Sequence, residues 1–165
     1  MYQLEIKAAL VSHRFPPGDG WQVTVDVDAM ERANGGQHPE GKRQRAEIAE
    51  ARLRLLGAKI VPHPVYGRAD LVAFHPTQGL FVVEVEGASS RQREQAMYSA
   101  LGQVVLSMRS LEPGVTYALA VPDEHLWLRH VRKIPAIAAA RLRLTVFAVG
   151  ASGVREVSDF ARFDA

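Results

Sequence analysis

The sequence predicts a mixed α/β fold, a mixed β-sheet flanked by helices and preceded by an N-terminal β-hairpin. Three observations predict it. Two segments, "KRQRAEIAEARLRLLG" (42–57) and "SSRQREQAMYSALGQVVLSMRSL" (89–111), carry apolar residues at helical spacing. At least five short runs alternate or are continuously apolar in the manner of strands. The 47% hydrophobic content over 165 residues, with no long polar tract, is enough to build an ordered core.

Taken in order, "YQLEIKAALV" (2–11) and "WQVTVDVDAM" (21–30) read as strands, the second by alternation of Val23, Val25 and Val27 against Thr24, Asp26 and Asp28. The loop chemistry of "SHRFPPGDG" between them closes the predicted hairpin. After the irregular "ERANGGQHPEG", the first helix runs through Ala46, Ala49, Leu53 and Leu56 and stops at Gly57. "AKIVPHP", "ADLVAFHP" and "GLFVVEVEG" follow as three short strands separated by turns, a predicted meander. The second helix, capped by Ser89 or Ser90, carries a stripe of Met97, Leu101, Val104, Val105 and Met108. "VTYALAVPD" is a buried strand, "EHLWLRHVRKI" a helix broken near Pro135, and "LRLTVFAVG" the last strand. No repeat or linker divides the chain, so residues 1–165 are expected to form one domain.

Composition narrows the chemistry. With no cysteine there is no disulfide, thiolate metal site or thiol nucleophile, and any metal must be held by oxygen or imidazole. No apolar run reaches the ~20 residues of a membrane span and the N-terminus lacks a secretory layout, so the expectation is a soluble, cytoplasmic protein. The net charge is only +2, yet arginines cluster in "GKRQRAEIAEARLRLLG" and "LRHVRKIPAIAAARLRL", as a polyanion partner or an ordinary solvated face would have it. His63 and His75 sit in His-Pro pairs with turn roles, and no histidine pair has zincin spacing. No phosphate-cradling glycine loop or nucleophile elbow is present, and Trp21 and Trp127 read as core or interface aromatics rather than base-stacking platforms.

The acids of "GLFVVEVEG" stand out. Residues two apart share a strand face, so Phe81, Val83 and Val85 lie on one side and Val82, Glu84 and Glu86 on the other. Pairing the two strands about a turn near Gln78 places Asp70 close to Glu86 and diagonal to Glu84. Carboxylates that close either surround a cation or splay at a solvated edge. A hard divalent ion such as Mg²⁺ would suit the first arrangement.

"RADLVAF" followed by "LFVVEVEG", with Glu47 on the preceding helix and "ALGQVV" on the following one, resembles the PD-(D/E)XK superfamily of restriction-endonuclease-like nucleases. The resemblance covers about residues 43–121 in an α-β-β-β-α-β order, within a nuclease-like core of about 39–150. It implies a DNA endonuclease or DNA-processing nuclease hydrolysing phosphodiester bonds with Mg²⁺ or Mn²⁺. Glu47, Asp70 and Glu84 match the family's metal-binding acids, and the carbonyl of Val85 its further ligand. At residue 86 the family keeps a lysine and this chain has Glu86, so Glu86 acts as an atypical ligand or base, or else the chain is a silent member that binds DNA or a partner protein. Gln103 matches the glutamine that orients the site in related nucleases, or is a surface residue. Arg43, Arg45 and Arg91 are the candidate phosphate contacts, and a homodimer or partner subunit is the implied assembly.

Overall fold

The computed structural model describes residues 1–88, 92–110 and 112–162. Its centre is a seven-stranded sheet ordered β2-β1-β3-β4-β5-β6-β7. The strands are β1 (Gln22–Val25), β2 (Lys59–Ile60), β3 (Leu71–His75), β4 (Gly79–Val85), β5 (Val115–Pro122), β6 (Leu144–Gly150) and β7 (Gly153–Glu156). The helices are α1 (Gln3–His13), α2 (Lys42–Leu55), α3 (Arg93–Ser107), α4 (His125–Val131) and α5 (Ala136–Leu142). The mixed sheet flanked by helices is thus the architecture expected from the sequence.

The alternation of β4 sorts its side chains between two cores. Phe81, Val83 and Val85 join a cluster with Leu4, Ile6 and Leu10 of α1, Ala49 and Leu53 of α2, and Phe15 and Trp21. Val82 joins a second cluster with Met97, Ala100 and Val104 of α3, Leu119 and Trp127. Burying both faces explains why this strand is apolar almost throughout. Glu84 and Glu86 alternate with Val83 and Val85 and are nonetheless buried, so their burial requires partners.

The N-terminal hairpin is corrected: residues 3–13 form α1, which packs between the sheet and α2. Leu4, Ile6, Ala8 and Leu10 alternate as a strand would, but Leu4, Ile6, Lys7, Ala8, Ala9, Leu10 and Val11 are all buried. A helix enclosed on most sides loses its polar stripe, and with it the 3.6-residue signature. Its first turn is held by Glu5, whose Oε2 accepts from Tyr2 N at 2.7 Å. "WQVTVDVDAM" keeps only Gln22–Val25 as strand. Beyond Val25 the chain leaves the sheet, and Asp28 Oδ1 accepts from Glu31 N at 2.8 Å to turn it.

The meander is also corrected. β2 is an edge strand parallel to β1, and β1 takes the place beside β3. The antiparallel unit is therefore β1-β3-β4, with β5 added parallel to β4 after α3. An α-β-β-β-α-β order survives as α1-β1-β3-β4-α3-β5, with α2 and β2 inserted between its first two strands. α2 itself runs as expected, burying Ala46, Ala49 and Leu53. The stripe of α3 is displaced slightly: Ala96, Met97, Ala100 and Val104 are buried while Val105 is exposed. The proposed caps Ser89 and Ser90 lie outside the described residues. β7 was not foreseen; it closes on β6 through the two-residue turn between Gly150 and Gly153.

The β3–β4 turn is centred on Thr77, so His75 faces Gly79 and Leu71 faces Val83. This one-residue correction brings Asp70 level with Glu84 instead of Glu86. Gly79 adopts φ +85°, and a Cβ there would lie 2.3 Å from the Gly114 carbonyl oxygen. Only glycine can close the turn that sets this register.

Candidate functional site

Asp70 precedes β3 and Glu84 is the penultimate residue of β4, so antiparallel pairing puts both at the same end of the sheet. Asp70 Oδ2 accepts from Val85 N at 2.8 Å, which orients the carboxyl across the strand pair. The Asp70 and Glu84 carboxyls are hydrogen-bonded to each other, and Ser107 at the end of α3 donates to Glu84 Oε1 at 2.7 Å. Burial, reinforced by the Asp70 charge, pushes Glu84 up to about 7; the Ser107 bond opposes the rise.

Lys7 of α1 completes the cluster. Its Nζ donates to Asp26 O at 2.6 Å and Glu31 Oε1 at 2.5 Å, and lies 2.7 Å from Asp70 Oδ1. Its side chain is fully buried. Burial alone would lower the lysine's pKa, but Asp70 and Glu31 outweigh it and the pKa is raised, so the ammonium persists. Three acceptors occupy its three N–H donors. Glu31 is driven up to about 7 by burial and by Asp70, against the opposing pull of Lys7.

Two carboxyls, Asp70 and Glu31, therefore contact one ammonium, and Glu84 lies beside Asp70. Protonation of Glu31 and Glu84, each pushed up to about 7, together with Lys7 balances their charge, and a divalent cation would be another way to balance it. The donor set near Asp70 and Glu84 is hard oxygen, and two carboxylates with waters suit Mg²⁺ or Mn²⁺. Among the described residues no group of three or more acidic or histidine side chains is placed to hold a metal ion.

The other expected site residues fall in varied places. Glu47 does not reach the cluster: its side chain is 65% exposed and pairs with Arg43 Nε at 3.1 Å along α2. The helix heading the α-β-β-β-α-β unit is α1 rather than α2, which is why the acid chosen on α2 points elsewhere. The Val85 carbonyl accepts from Gln3 Nε2 at 3.0 Å. Glu86 is buried one residue beyond β4, its N–H bonded to Ala120 O. Gln103 is exposed on α3, one turn before Ser107 and on the same flank. Arg45 is clamped by both Glu5 carboxylate oxygens, at 2.8 and 2.7 Å, with its guanidinium 4.6 Å from the Tyr2 ring centre. Arg91 lies outside the described residues. His63 and His75 accept backbone N–H groups within their own turns, as their His-Pro setting implied.

Lys7 and Glu31 were missed. Lys7 was hidden in a segment read as a strand, and Glu31 in a loop with no periodicity. The signal was a lysine inside the apolar run "LEIKAALV", which folding can bury only with anionic partners.

No family model matches the chain, and no curated protein does. Among solved structures, that of an XisH family protein from Nostoc punctiforme PCC 73102 is similar at a TM-score of 0.42 and 14% identity, covering 95% of this chain and 98% of that one. No helix among the described residues is long and apolar enough to cross a membrane.

Proposed function

We propose that the protein is a metal-dependent nuclease hydrolysing phosphodiester bonds in DNA, with Asp70 and Glu84 holding Mg²⁺ or Mn²⁺. The observation that carries this reading is the Lys7 ammonium 2.7 Å from Asp70 Oδ1. It brings to the acid pair the positive charge that Glu86 fails to provide, from a different element. When bound, the metal ion would polarise the scissile phosphate and lower the pKa of a coordinated water. Asp70 is oriented for this by Val85 N, and Glu84 by Ser107. Glu47 has no part in it.

A second reading, a silent nuclease-fold protein that binds DNA or a partner protein, is favoured by one feature. All three Lys7 donors are taken within the protein, leaving none for a substrate oxygen. Circular and linear DNA incubated with Mg²⁺ or Mn²⁺ separates the two. Cleavage that disappears in Asp70→Ala and Glu84→Ala supports the nuclease. Intact DNA binding without cleavage across substrates and metals supports the silent form.

A further inference from the structure

Between α3 and the α4–α5 segment runs a groove of about 260 Å³ that shares no residue with the acid cluster. Met97, Leu101, Val104, Ile134 and Leu142 are among the residues that line it. Along α3, Tyr98, Leu101 and Val105 follow at i, i+3 and i+7, an apolar stripe two turns long. The apolar surface continues past the groove: Tyr98 is 61% and Ile137 of α5 69% exposed. The volume lies below the ~300–1,000 Å³ of small-molecule sites, and a ligand that filled it would leave Ile137 wet. An apolar surface of this kind marks a contact with a larger partner. Charge narrows the choice. Residues 125–143 carry Arg129, Arg132, Lys133, Arg141 and Arg143 and no acidic residue. Arg132 is paired with Asp159, and Lys133 with Glu94 of α3, whose carboxylate also accepts from the Tyr98 hydroxyl at 2.9 Å. Arg129, Arg141 and Arg143 have no ion pair among the described residues. Arg129 immediately precedes the groove residue His130, and Arg141 lies one turn after Ile137, beside Leu142.

We infer that this groove is a docking site for an acidic amphipathic helix of a partner protein. Apolar residues of that helix at i, i+3, i+4 and i+7 would enter between α3 and α5 and cover Tyr98, Val105 and Ile137. Acidic residues flanking its stripe would meet Arg129 and Arg141, which the chain itself leaves without counter-charges. A second copy presenting the same face would bring these cations against one another. A nucleic-acid backbone would answer the arginines and leave the apolar lining exposed. An acidic helix with one apolar stripe satisfies both features at once. The inference does not rest on the nuclease reading, since none of Lys7, Glu31, Asp70 and Glu84 takes part in the groove.

The test is fluorescence anisotropy of a labelled, hydrocarbon-stapled peptide of about four helical turns, with leucine along one stripe and glutamate on its flanks, titrated with the full chain. Two controls keep its length: one replaces every glutamate by lysine, and the other scrambles the order so that no stripe remains. Saturable binding of the Leu/Glu helix, and of neither control, is the expected result. Ile137→Ser should weaken it about tenfold. The double variant Arg129→Glu/Arg141→Glu should weaken it by a similar factor and reverse its salt dependence. All three positions are exposed, so the variants should keep the wild-type fold, which circular dichroism and thermal denaturation check. Backbone ¹H–¹⁵N shifts on adding the peptide should cluster on α3, α4 and α5. Equal binding of the lysine or scrambled peptide overturns the inference, as does binding indifferent to the variants, or no saturation by the Leu/Glu helix. Capture of the chain by phosphatidylserine vesicles in place of the peptide also overturns it, the face then being a lipid-binding one. None of these outcomes bears on cleavage of DNA, so the nuclease reading stands or falls separately.

Discussion

Lys7 Nζ and Asp70 Oδ1 lie 2.7 Å apart, joining a helix at the start of the chain to the strand pair that carries Glu84. With the Glu31 pair it ties a fully buried cation to two carboxyls, and its loss has a definite consequence. Replacing Lys7 by alanine removes the ammonium and leaves the buried Glu31 and the half-buried Asp70 without their cation. Breaking one side of a buried ion pair costs about 3–5 kcal/mol, and urea unfolding of Lys7→Ala should show a loss of that size. Lys7→Met, which refills the volume, should still lose most of it, because the charge and not the packing is what is missing. A loss below about 1 kcal/mol in both variants would mean that the acids do not depend on Lys7.

The same cluster sets the pH dependence of stability. Burial pushes Glu31 and Glu84 each up to about 7, from an ordinary carboxyl value of 4.5. Their stabilising effect is therefore fully present below pH 4.5 and is lost as pH rises through 7. Each accounts for up to about 3 kcal/mol across that window. Glu5, Glu50 and Asp123 are lowered, Glu50 and Asp123 chiefly by hydrogen bonds from arginines, and Glu5 by its Arg45 bond acting against burial. Their contribution runs the other way and is lost in acid. Thermal denaturation should thus give a maximum near pH 5 and a declining limb toward pH 8. Mn²⁺ should flatten that limb if it binds Asp70 and Glu84, since it favours their ionised forms.

Ser107 provides a finer probe. Its hydroxyl donates to Glu84 Oε1 and, together with the charge of Lys7, restrains the raised pKa of that carboxyl. Ser107→Ala should shift the Glu84 titration to higher pH, read by ¹³C NMR of the side-chain carboxyl. A shift to lower pH would show that the hydroxyl does not donate to the charged form.

These residues also mark what could be read from the sequence. α2, α3 and the strands β3 to β6 announce themselves because each has one apolar face or an uninterrupted apolar run between turn residues. α1 does not, because burial on most sides erased the polar stripe that distinguishes helix from strand. Asp70 and Glu84 were legible because they are joined through one short hairpin, and only the turn's centre was misplaced by a residue. Lys7 and Glu31 were not, since Lys7 meets Asp70 across a separation of 63 positions in sequence and nothing local encodes that approach. Glu47 was chosen by element order, which failed once α1 proved to be a helix.

Gly87 is where α1 is anchored to the site. A Cβ at Gly87 would lie 2.6 Å from Gln3 N and 2.8 Å from Tyr2 C, both backbone atoms that cannot give way without moving the helix. The same approach brings Ala88 N within 2.8 Å of Met1 O and Gln3 Nε2 within 3.0 Å of Val85 O. Gly87→Ala should therefore destabilise by roughly 1–3 kcal/mol, the usual cost of overpacking. It should also displace α1, so the Lys7 ammonium signal should move in the same variant. A stable Gly87→Ala with an unmoved Lys7 signal would mean that the chain relaxes at its N-terminus alone.

The arginines of α2 are expected to differ in their contribution to DNA binding. Arg43 is well exposed and makes only an i,i+4 pair with Glu47, the kind worth about 0.3–0.5 kcal/mol. Arg45 must give up two bonds to Glu5 and its stacking on Tyr2 before it can reach a phosphate. If α2 faces DNA, Arg43→Ala should lower the slope of log affinity against log salt by about 1 with little change in stability. Arg45→Ala should change the slope less and destabilise the N-terminus of α1 more. Fluorescence anisotropy over a salt series together with thermal denaturation measures both. Equal, unchanged slopes would remove α2 from the DNA interface and leave Asp70 and Glu84 to be approached from another side of the sheet.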